Sequence, residues 1–232
     1  MSHVPPELII EFTGRFSFSF SPGATSGSQN IFTINGGRTR ASSDGDFIRF
    51  YSGSAGNSTF ILNGGTESEI GGEMVFYGSS TAADALVIAN GGVASGGLGG
   101  TVRFEGTSSA GNATLIANAA AVGHGGTIEF SGKSHGDTAR VKVFGASGGG
   151  SLNVAYHNRN DPDFAVGSIE GDGYIFLSAY ASGLGKNLLV GGNNLNTTSG
   201  EIRGDYGGSL TKIGTRHADS YRGELLHWSD DH

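Results

Sequence analysis

The densest local set of side chains capable of acid/base chemistry lies in the middle of this 232-residue chain, and it includes the three histidines His124, His135 and His157. Imidazole and carboxyl groups donate and accept protons in enzymes, and they also bind metal ions. Their spacing here matches no metal signature such as H-E-x-x-H, and the string SHGD resembles a turn. Under the hypothesis of an enzyme, the candidate catalytic residues are His124, Glu129, His135 and Asp137. A structural role for all four is the alternative.

A second set of carboxylates follows in the strings NDPDF and SIEGDG, at Asp161, Asp163, Glu170 and Asp172. Carboxylate oxygens are ligands that Ca²⁺ prefers, and Asp-rich turns supply them at short spacing. The G-G-x-G-x-D repeat, which binds Ca²⁺ in a regular ladder, is absent from the sequence. These four residues therefore predict an isolated Ca²⁺ site at most, and we expect that the chain requires no cofactor.

The composition excludes several other chemistries. The chain has no Cys, which excludes disulfides, thiolate zinc sites and a cysteine nucleophile. The 14 Lys and Arg against 21 Asp and Glu give a net charge of −7, which repels phosphate backbones, so we expect no nucleic-acid partner. Because no run of about 18 apolar residues occurs, we expect no membrane insertion of this segment. The 43 Gly residues disfavour a helical protein.

Internal repeats indicate the elements that must position these side chains. Asn ends four apolar strings, at Asn35, Asn63, Asn90 and Asn118. Phe recurs in four others, at Phe50, Phe76, Phe104 and Phe130. A third register, just before a strand, is formed by Asn57, Asp84, Asn112 and Asp137. Apolar residues alternate within each string, which is typical of half-buried β-strands.

A repeat of about 27 residues with two or three short strands cannot bury its own apolar face, so successive copies must stack. Parallel stacking places the same position of every repeat in one ladder, with ~4.8 Å between strands. The sequence therefore predicts an all-β protein, a single-stranded parallel β-helix (β-solenoid) with rungs of about 27 residues. The Asn side chains of successive rungs are expected to hydrogen-bond one another. An antiparallel sandwich or barrel is the alternative fold.

Two outward-facing columns follow from this stacking. In the Phe strands, Arg103 and Glu129 become neighbours and form an exposed ion pair. In the Asn strands, an aliphatic stripe forms from Ile61, Ile88 and Ile116. Three stacked outward Ile residues either lie beneath another part of the chain or form a binding surface for a partner or for self-association.

The C-terminal third of the chain resembles a known family. The strings AVGSIEGDGYIFLSA, NLLVGGNNLNTTSGEIRGD and GGSLTKIGT resemble the autotransporter-associated β-strand repeat of large bacterial surface proteins. The resemblance covers residues 25–215, is closest from Val166 to Thr215, and is lost in the tail RHADSYRGELLHWSDDH. It implies a secreted, right-handed β-helical passenger of the autotransporter type. We therefore divide the chain into an N-terminal strand-rich cap (1–24), β-helix repeats (25–215) and a divergent C-terminal tail or cap (216–232).

Two functional hypotheses remain open. In the first, the chain is a fragment of an exported bacterial surface protein, secreted or held at the cell surface, and forms a rigid rod for adhesion or surface presentation. Its partners would be an extracellular glycan, a protein surface or further copies of itself. In the second, it is a hydrolase or lyase, with or without Ca²⁺, that acts on a glycan, an ester or a lactone. The second hypothesis rests on the fact that parallel β-helices also host such enzymes.

Overall fold

The computed structural model of the chain describes residues 8–12, 14, 16–37, 45–66, 69–145, 148–158, 160–161, 163–177, 185–195, 197–198, 201–203, 208–215, 218–219 and 227–230. These residues form β-strands joined by turns, with no helix among them. Accordingly, no helix in this part of the chain could span a membrane.

The strands are short and follow one another closely. In chain order they are β1 (Ile9–Phe12), β2 (Ser17–Phe20), β3 (Ser28–Ile34), β4 (Phe47–Tyr51), β5 (Asn57–Leu62), β6 (Glu73–Tyr77), β7 (Leu86–Ala89), β8 (Thr101–Phe104), β9 (Thr114–Ala117), β10 (Thr127–Gly132) and β11 (Arg140–Val143). They continue as β12 (Ser151–His157), β13 (Asp163–Val166), β14 (Ser168–Glu170), β15 (Tyr174–Phe176), β16 (Asn187–Val190), β17 (Thr197–Thr198), β18 (Glu201–Arg203), β19 (Ser209–Lys212), β20 (Ala218–Asp219) and β21 (His227–Asp230).

Two long parallel sheets run along the coil. Sheet A has the order β1-β3-β5-β7-β9-β11-β14, and sheet B has the order β18-β15-β12-β10-β8-β6-β4-β2. Phe76 pairs with Phe104, and Phe104 pairs with Phe130, in parallel strands of sheet B. The prediction of an all-β parallel β-helix is therefore confirmed, and the antiparallel alternative is wrong.

Stacked aromatic rings fill the core of the N-terminal coils. Phe50, Phe76 and Phe104 are fully buried, and neighbouring rings in this column lie 4.8 Å apart and nearly parallel. The column extends to Phe20 below, at 4.4 Å from Phe50, and to Phe130 above, at 4.6 Å from Phe104. Parallel stacking of identical residues thus converts one sequence position into a continuous apolar column.

Glycines form the corners between sheets A and B because adjacent coils approach too closely there for a side chain. A Cβ atom added to Gly99 would overlap the carbonyl oxygen of Gly125, and one added to Gly125 would overlap the carbonyl oxygen of Gly149. Gly64 and Gly91 meet in the same way. Much of the high Gly content is therefore required by close backbone packing.

The third side of the coil changes from single bridges to a full sheet along the chain. In the N-terminal coils it consists of isolated single-residue bridges, which join Thr25, Ser54, Thr81, Ser109 and His135 in that order. In the C-terminal coils it becomes a four-stranded parallel sheet, sheet C, with the order β13-β16-β19-β21. A short pair, β17 with β20, completes the described strands. The coil is therefore two-sheeted at first and three-sheeted later.

One predicted register is wrong by one residue. Asn112 Nδ2 donates to Asp84 Oδ1 at 3.1 Å, but the residue above Asn112 is Thr138, whose hydroxyl donates to Asn112 Oδ1. Asp137 lies one position earlier, level with Gly111, and has a positive φ of 48°. The prediction matched Asp137 with Asn112 by residue type, whereas the residue that stacks on Asn112 is Thr138, which follows Phe130 at the same separation as Asn112 follows Phe104.

The first two strands continue the stack. β1 pairs in parallel with β3, and β2 pairs in parallel with β4, so they occupy the first positions of sheets A and B. The predicted role of residues 1–24 as a cap stays a prediction, as do the 25–215 and 216–232 boundaries. Within the tail, residues 216–217, 220–226 and 231–232 lie outside the described residues.

Candidate functional site

The four candidate catalytic residues lie at three different places on one coil. His124 is in the corner between β9 and β10, Glu129 is on the outer face of sheet B, and His135 and Asp137 are exposed on the third side. His135 and Asp137 both adjoin Ser109, which bridges to His135 and donates its hydroxyl to Asp137. No hydrogen bond or ion pair between described residues joins any two of the four.

Glu129 is half-buried and has charged neighbours on sheet B. Burial raises the pKa of the Glu129 carboxyl, Glu105 and Glu73 add to that rise, and Arg103 opposes it. Arg103 Nε lies 3.9 Å from Glu129 Oε1, so the predicted ion pair is confirmed. Arg103 makes a closer contact to Glu73, whose carboxylate accepts a hydrogen bond from an Arg103 Nη. Because the Glu129 carboxyl holds its proton more readily than usual, it could act as a proton donor.

Sequence reasoning missed Glu73 as a partner of Arg103. Glu73 is in β6 and Arg103 is in the adjacent strand β8, but the two residues are not paired in register, since Arg103 lies opposite Val75. The long guanidinium side chain reaches diagonally across the sheet. The sequence feature that could have indicated this contact is Glu73 itself, an outward carboxylate two positions before Val75 in the same strand.

The four predicted Ca²⁺ ligands do not converge on one point, since Asp161 and Asp163 contact each other while Glu170 and Asp172 have other partners. Asp161 Oδ1 accepts from the Asp163 amide at 3.3 Å, and Asp163 Oδ1 accepts from Asn187 Nδ2 at 2.9 Å. Asp172 Oδ1 accepts from the Gly145 amide at 2.6 Å. Across the part of the chain that the structure describes, no three His, Asp or Glu side chains are placed to hold a metal ion. A Ca²⁺ site stays a prediction.

Glu170, the fourth predicted ligand, belongs to an ion cluster at the end of sheet A. Arg140 Nη2 donates to Glu170 Oε2 at 2.7 Å, and Lys142 Nζ lies 3.7 Å from the same oxygen. The Arg140 hydrogen bond is the main cause of the lowered pKa of Glu170, and Lys142 lowers it further. Two cations therefore already neutralise this carboxylate.

The predicted aliphatic stripe has the expected register. Ile61 pairs with Ile88, and Ile88 pairs with Ile116, and all three side chains are half-buried. The neighbouring outward positions of β3, β5, β7 and β9 are also uncharged, namely Ile31, Thr33, Thr59, Leu86 and Thr114. We call these eight residues the sheet A outer face. Whether it binds a partner stays a prediction.

The Asn column forms the predicted amide ladder. Asn63 Nδ2 donates to Asn35 Oδ1 at 2.8 Å, Asn90 Nδ2 to Asn63 Oδ1 at 3.0 Å, and Asn118 Nδ2 to Asn90 Oδ1 at 2.9 Å. The ladder begins where Asn35 Nδ2 donates to the Phe12 carbonyl at 2.8 Å. Its side chains satisfy one another, which indicates a structural role.

His157 and Lys186 form a buried polar pair. His157 was in the predicted histidine set but not among the catalytic candidates, and Lys186 was not among the predicted site residues. His157 is 6% exposed and Lys186 is 3% exposed, and both lie where the third side of the coil widens into sheet C. Burial lowers the pKa of both side chains. No sequence signal marks Lys186, because the surrounding Gly-rich string resembles every other corner of the chain.

Within the described ranges, the candidate sites are thus the sheet A outer face, Glu129 with its neighbours, and the His157–Lys186 pair. Comparison of the chain with protein-family models, with curated proteins and with solved structures finds no match.

Proposed function

We propose that the chain is a rigid β-helical rod from an exported bacterial surface protein, and that it presents its outer faces for adhesion or self-association. The observation that supports a rod most directly is the unbroken pairing of eight strands in sheet B, which at ~4.8 Å per step gives a stack about 34 Å long. Every coil binds the next through backbone hydrogen bonds and stacked side chains. Such a stack resists bending because its contacts repeat along the whole axis.

Export and a location at the cell surface are supported by the family resemblance, which is closest from Val166 to Thr215. A chain without Cys needs no oxidising compartment for its stability, so its composition is consistent with either side of a membrane. The expected partners are an extracellular glycan, a protein surface or another copy of the chain. The net charge of −7 favours partners without strong negative charge.

The sheet A outer face is the surface we assign to that contact. It consists of eight Ile, Leu and Thr residues on four adjacent strands, without a charged side chain among them. Charge returns at the borders of this face, with Glu11 and Lys142 at the two ends of the Ile column and Arg140 next to Thr114 at the end of the other column. An uncharged patch with charged borders is typical of an interaction surface.

The test is a binding screen with matched variants. The purified chain is measured against a glycan array and extracellular-matrix proteins, and its self-association is measured by sedimentation velocity. Ile88→Lys should weaken whichever interaction is found by at least about tenfold, which is ~1.4 kcal/mol. The change is compatible with the fold, because Lys142 occupies the same column in β11.

Val93→Lys is the matched control, because Val93 is an apolar corner residue that is 65% exposed and lies off this face. It should leave binding unchanged. Equal loss in both variants, or no interaction with any partner, would contradict the proposal.

A hydrolase or lyase is the second candidate, and the raised pKa of Glu129 beside Arg103 and Glu73 is the observation that favours it. The test is hydrolysis of a panel of glycans, esters and lactones, with and without EDTA. Glu129→Gln should abolish any activity, while Glu201→Gln, an exposed carboxylate on the same sheet, should retain it. A wild-type chain inactive on the whole panel would remove this candidate.

A further inference from the structure

The place where the coil changes from two sheets to three is held by buried polar groups. Here β12 pairs with β10 through a shift in register, and Gly132 lies opposite His157. The next strand, β13, is the first of sheet C. Its Phe164 packs on Phe130 at 4.7 Å with a tilt of 51°, which ends the parallel phenyl column. We call this region the junction.

The ring of His157 is held in one protonation state by its surroundings. His157 Nε2 lies 2.9 Å from the carbonyl oxygen of Ser134, so it must carry a proton to form that hydrogen bond. His157 Nδ1 is buried and has no hydrogen-bond partner among the residues that the structure describes, and the ring meets Phe164 edge-on at 5.1 Å. The neutral ring with its proton on Nε2 fits this site, while a proton on Nδ1 would be buried without an acceptor.

Lys186 ties the following loop to sheet C. Lys186 directly precedes β16. Its Nζ donates to the carbonyl oxygens of Asn158 at 2.5 Å and of Asp161 at 2.8 Å. The charged and titratable groups that act on His157 are Lys186 and His135, which disfavour its protonation, and Asp161, which favours it. The ring therefore lies within the electrostatic influence of a buried cation and in contact with an apolar ring.

We propose that the junction is an acid-sensitive latch, in which protonation of His157 at Nδ1 loosens sheet C from the N-terminal coils. The new charge would be buried without an acceptor, close to the Lys186 ammonium and against Phe164. Opening the junction lets water solvate the imidazolium and relieves that repulsion. The described residues of the five coils with stacked Phe rings include no buried His, so these coils should stay closed.

The sign of the effect follows from the direction of the pKa shift. Burial lowers the pKa of His157 below its ordinary 6.5, so the closed junction binds fewer protons than the open one. Stability of the junction is therefore fully present above pH 6.5 and decreases as the pH falls through the lowered pKa. At pH 5.5, opening should be favoured by up to about tenfold.

Hydrogen exchange of the wild-type chain at pH 7.5 and 5.5 tests the latch without any variant. Protection factors, which correct for the intrinsic effect of pH, should fall by up to about tenfold for the amides of β13 and β16 at the lower pH. Those of β6 and β8 should stay unchanged. Equal protection of sheet C at both values, or an equal loss in all four strands, would overturn the proposal.

His157→Gln tests the assignment to this residue, since the Gln amide can still donate to the Ser134 carbonyl but does not titrate in this range. Its sheet C amides should show the same protection at both pH values. His124→Gln, which removes a corner histidine away from the junction, should respond as the wild type does. If His157→Gln keeps the pH response, the latch does not depend on His157 and the proposal fails.

Discussion

The N-terminal coils (16–145) and the C-terminal coils (151–212) solve the same packing problem with different residues. The first region repeats the same residue types in register, which gives the phenyl column and the amide ladder. The second fills its core with aliphatic residues, such as Ile175, Leu188 and Val190, and adds sheet C on the third side. The region that repeats the same core residues therefore has a narrow third side of single bridges. The region with the aliphatic core has a full sheet on its third side.

The largest effect should come from shortening the phenyl column. Phe104→Ala removes a fully buried ring with a ring stacked on each side, so we expect a loss of about 4 kcal/mol in the free energy of unfolding. Leu188→Ala, also fully buried but in the aliphatic core, should cost about 3 kcal/mol. Urea unfolding of both variants measures the difference. A greater loss for Leu188→Ala would show that the ring column is no stronger than the aliphatic core.

The loss of stability caused by replacing a corner glycine should differ almost as much between the two regions. Gly125→Ala places a Cβ atom on the carbonyl oxygen of Gly149 in the next coil and should destabilise the chain by about 3 kcal/mol. Gly192→Ala meets only the end of the Ile213 side chain, at 4.0 Å, and should change stability by less than about 0.5 kcal/mol. The melting temperatures of the two variants, measured by thermal unfolding, give the difference. Similar melting temperatures would mean that adjacent coils can separate at the corner without a loss of stability.

A smaller loss is expected in the amide ladder. Asn90→Ala leaves Asn63 Oδ1 and Asn118 Nδ2 without their partner, so the expected cost is about 2 kcal/mol. Asn112→Ala also breaks an Asx ladder, but its side chain is exposed and water replaces it, so the cost should be below about 1 kcal/mol. Equal costs in denaturant unfolding would indicate that burial of the ladder adds nothing.

The smallest effect should be a gain. Ala83 has a positive φ of 51° at the position where the coils below and above have Gly56 and Gly111. Ala83→Gly relieves this strain, which outweighs the added freedom of the unfolded chain by about 0.5 kcal/mol. The melting temperature should rise slightly. A decrease would show that the Ala83 methyl group contributes packing that exceeds the strain.

The sequence repeat predicted most of the fold but little of the candidate site. Asn90 and Phe104 recur at fixed spacing, and in a stacked chain spacing alone determines the neighbour in space, so their ladders could be predicted. Sheet C could not, because residues after 158 no longer repeat the earlier strings. The predicted register of Asp137 was wrong by one residue. The prediction aligned Asx residues with one another, whereas the neighbour in the next coil depends on the number of residues that follow the preceding strand.

His157 and Lys186 show why the remaining candidate site was missed. Their partners are the carbonyls of Ser134, Asn158 and Asp161. Backbone acceptors leave no trace in the sequence, and which carbonyls a buried side chain reaches depends on the register of β12 against β10.

The amide ladder also gives the coil an electrical direction. Each side-chain NH₂ group points to the coil before it, so the four amide dipoles align head to tail, and each hydrogen bond polarises the next. At the far end the following coil has Phe144, a residue whose side chain has no donor, in the equivalent position. The series therefore ends with its negative pole at Asn118, and an Asn side chain at position 144, which could donate to Asn118 Oδ1, would lengthen the dipole by one more unit.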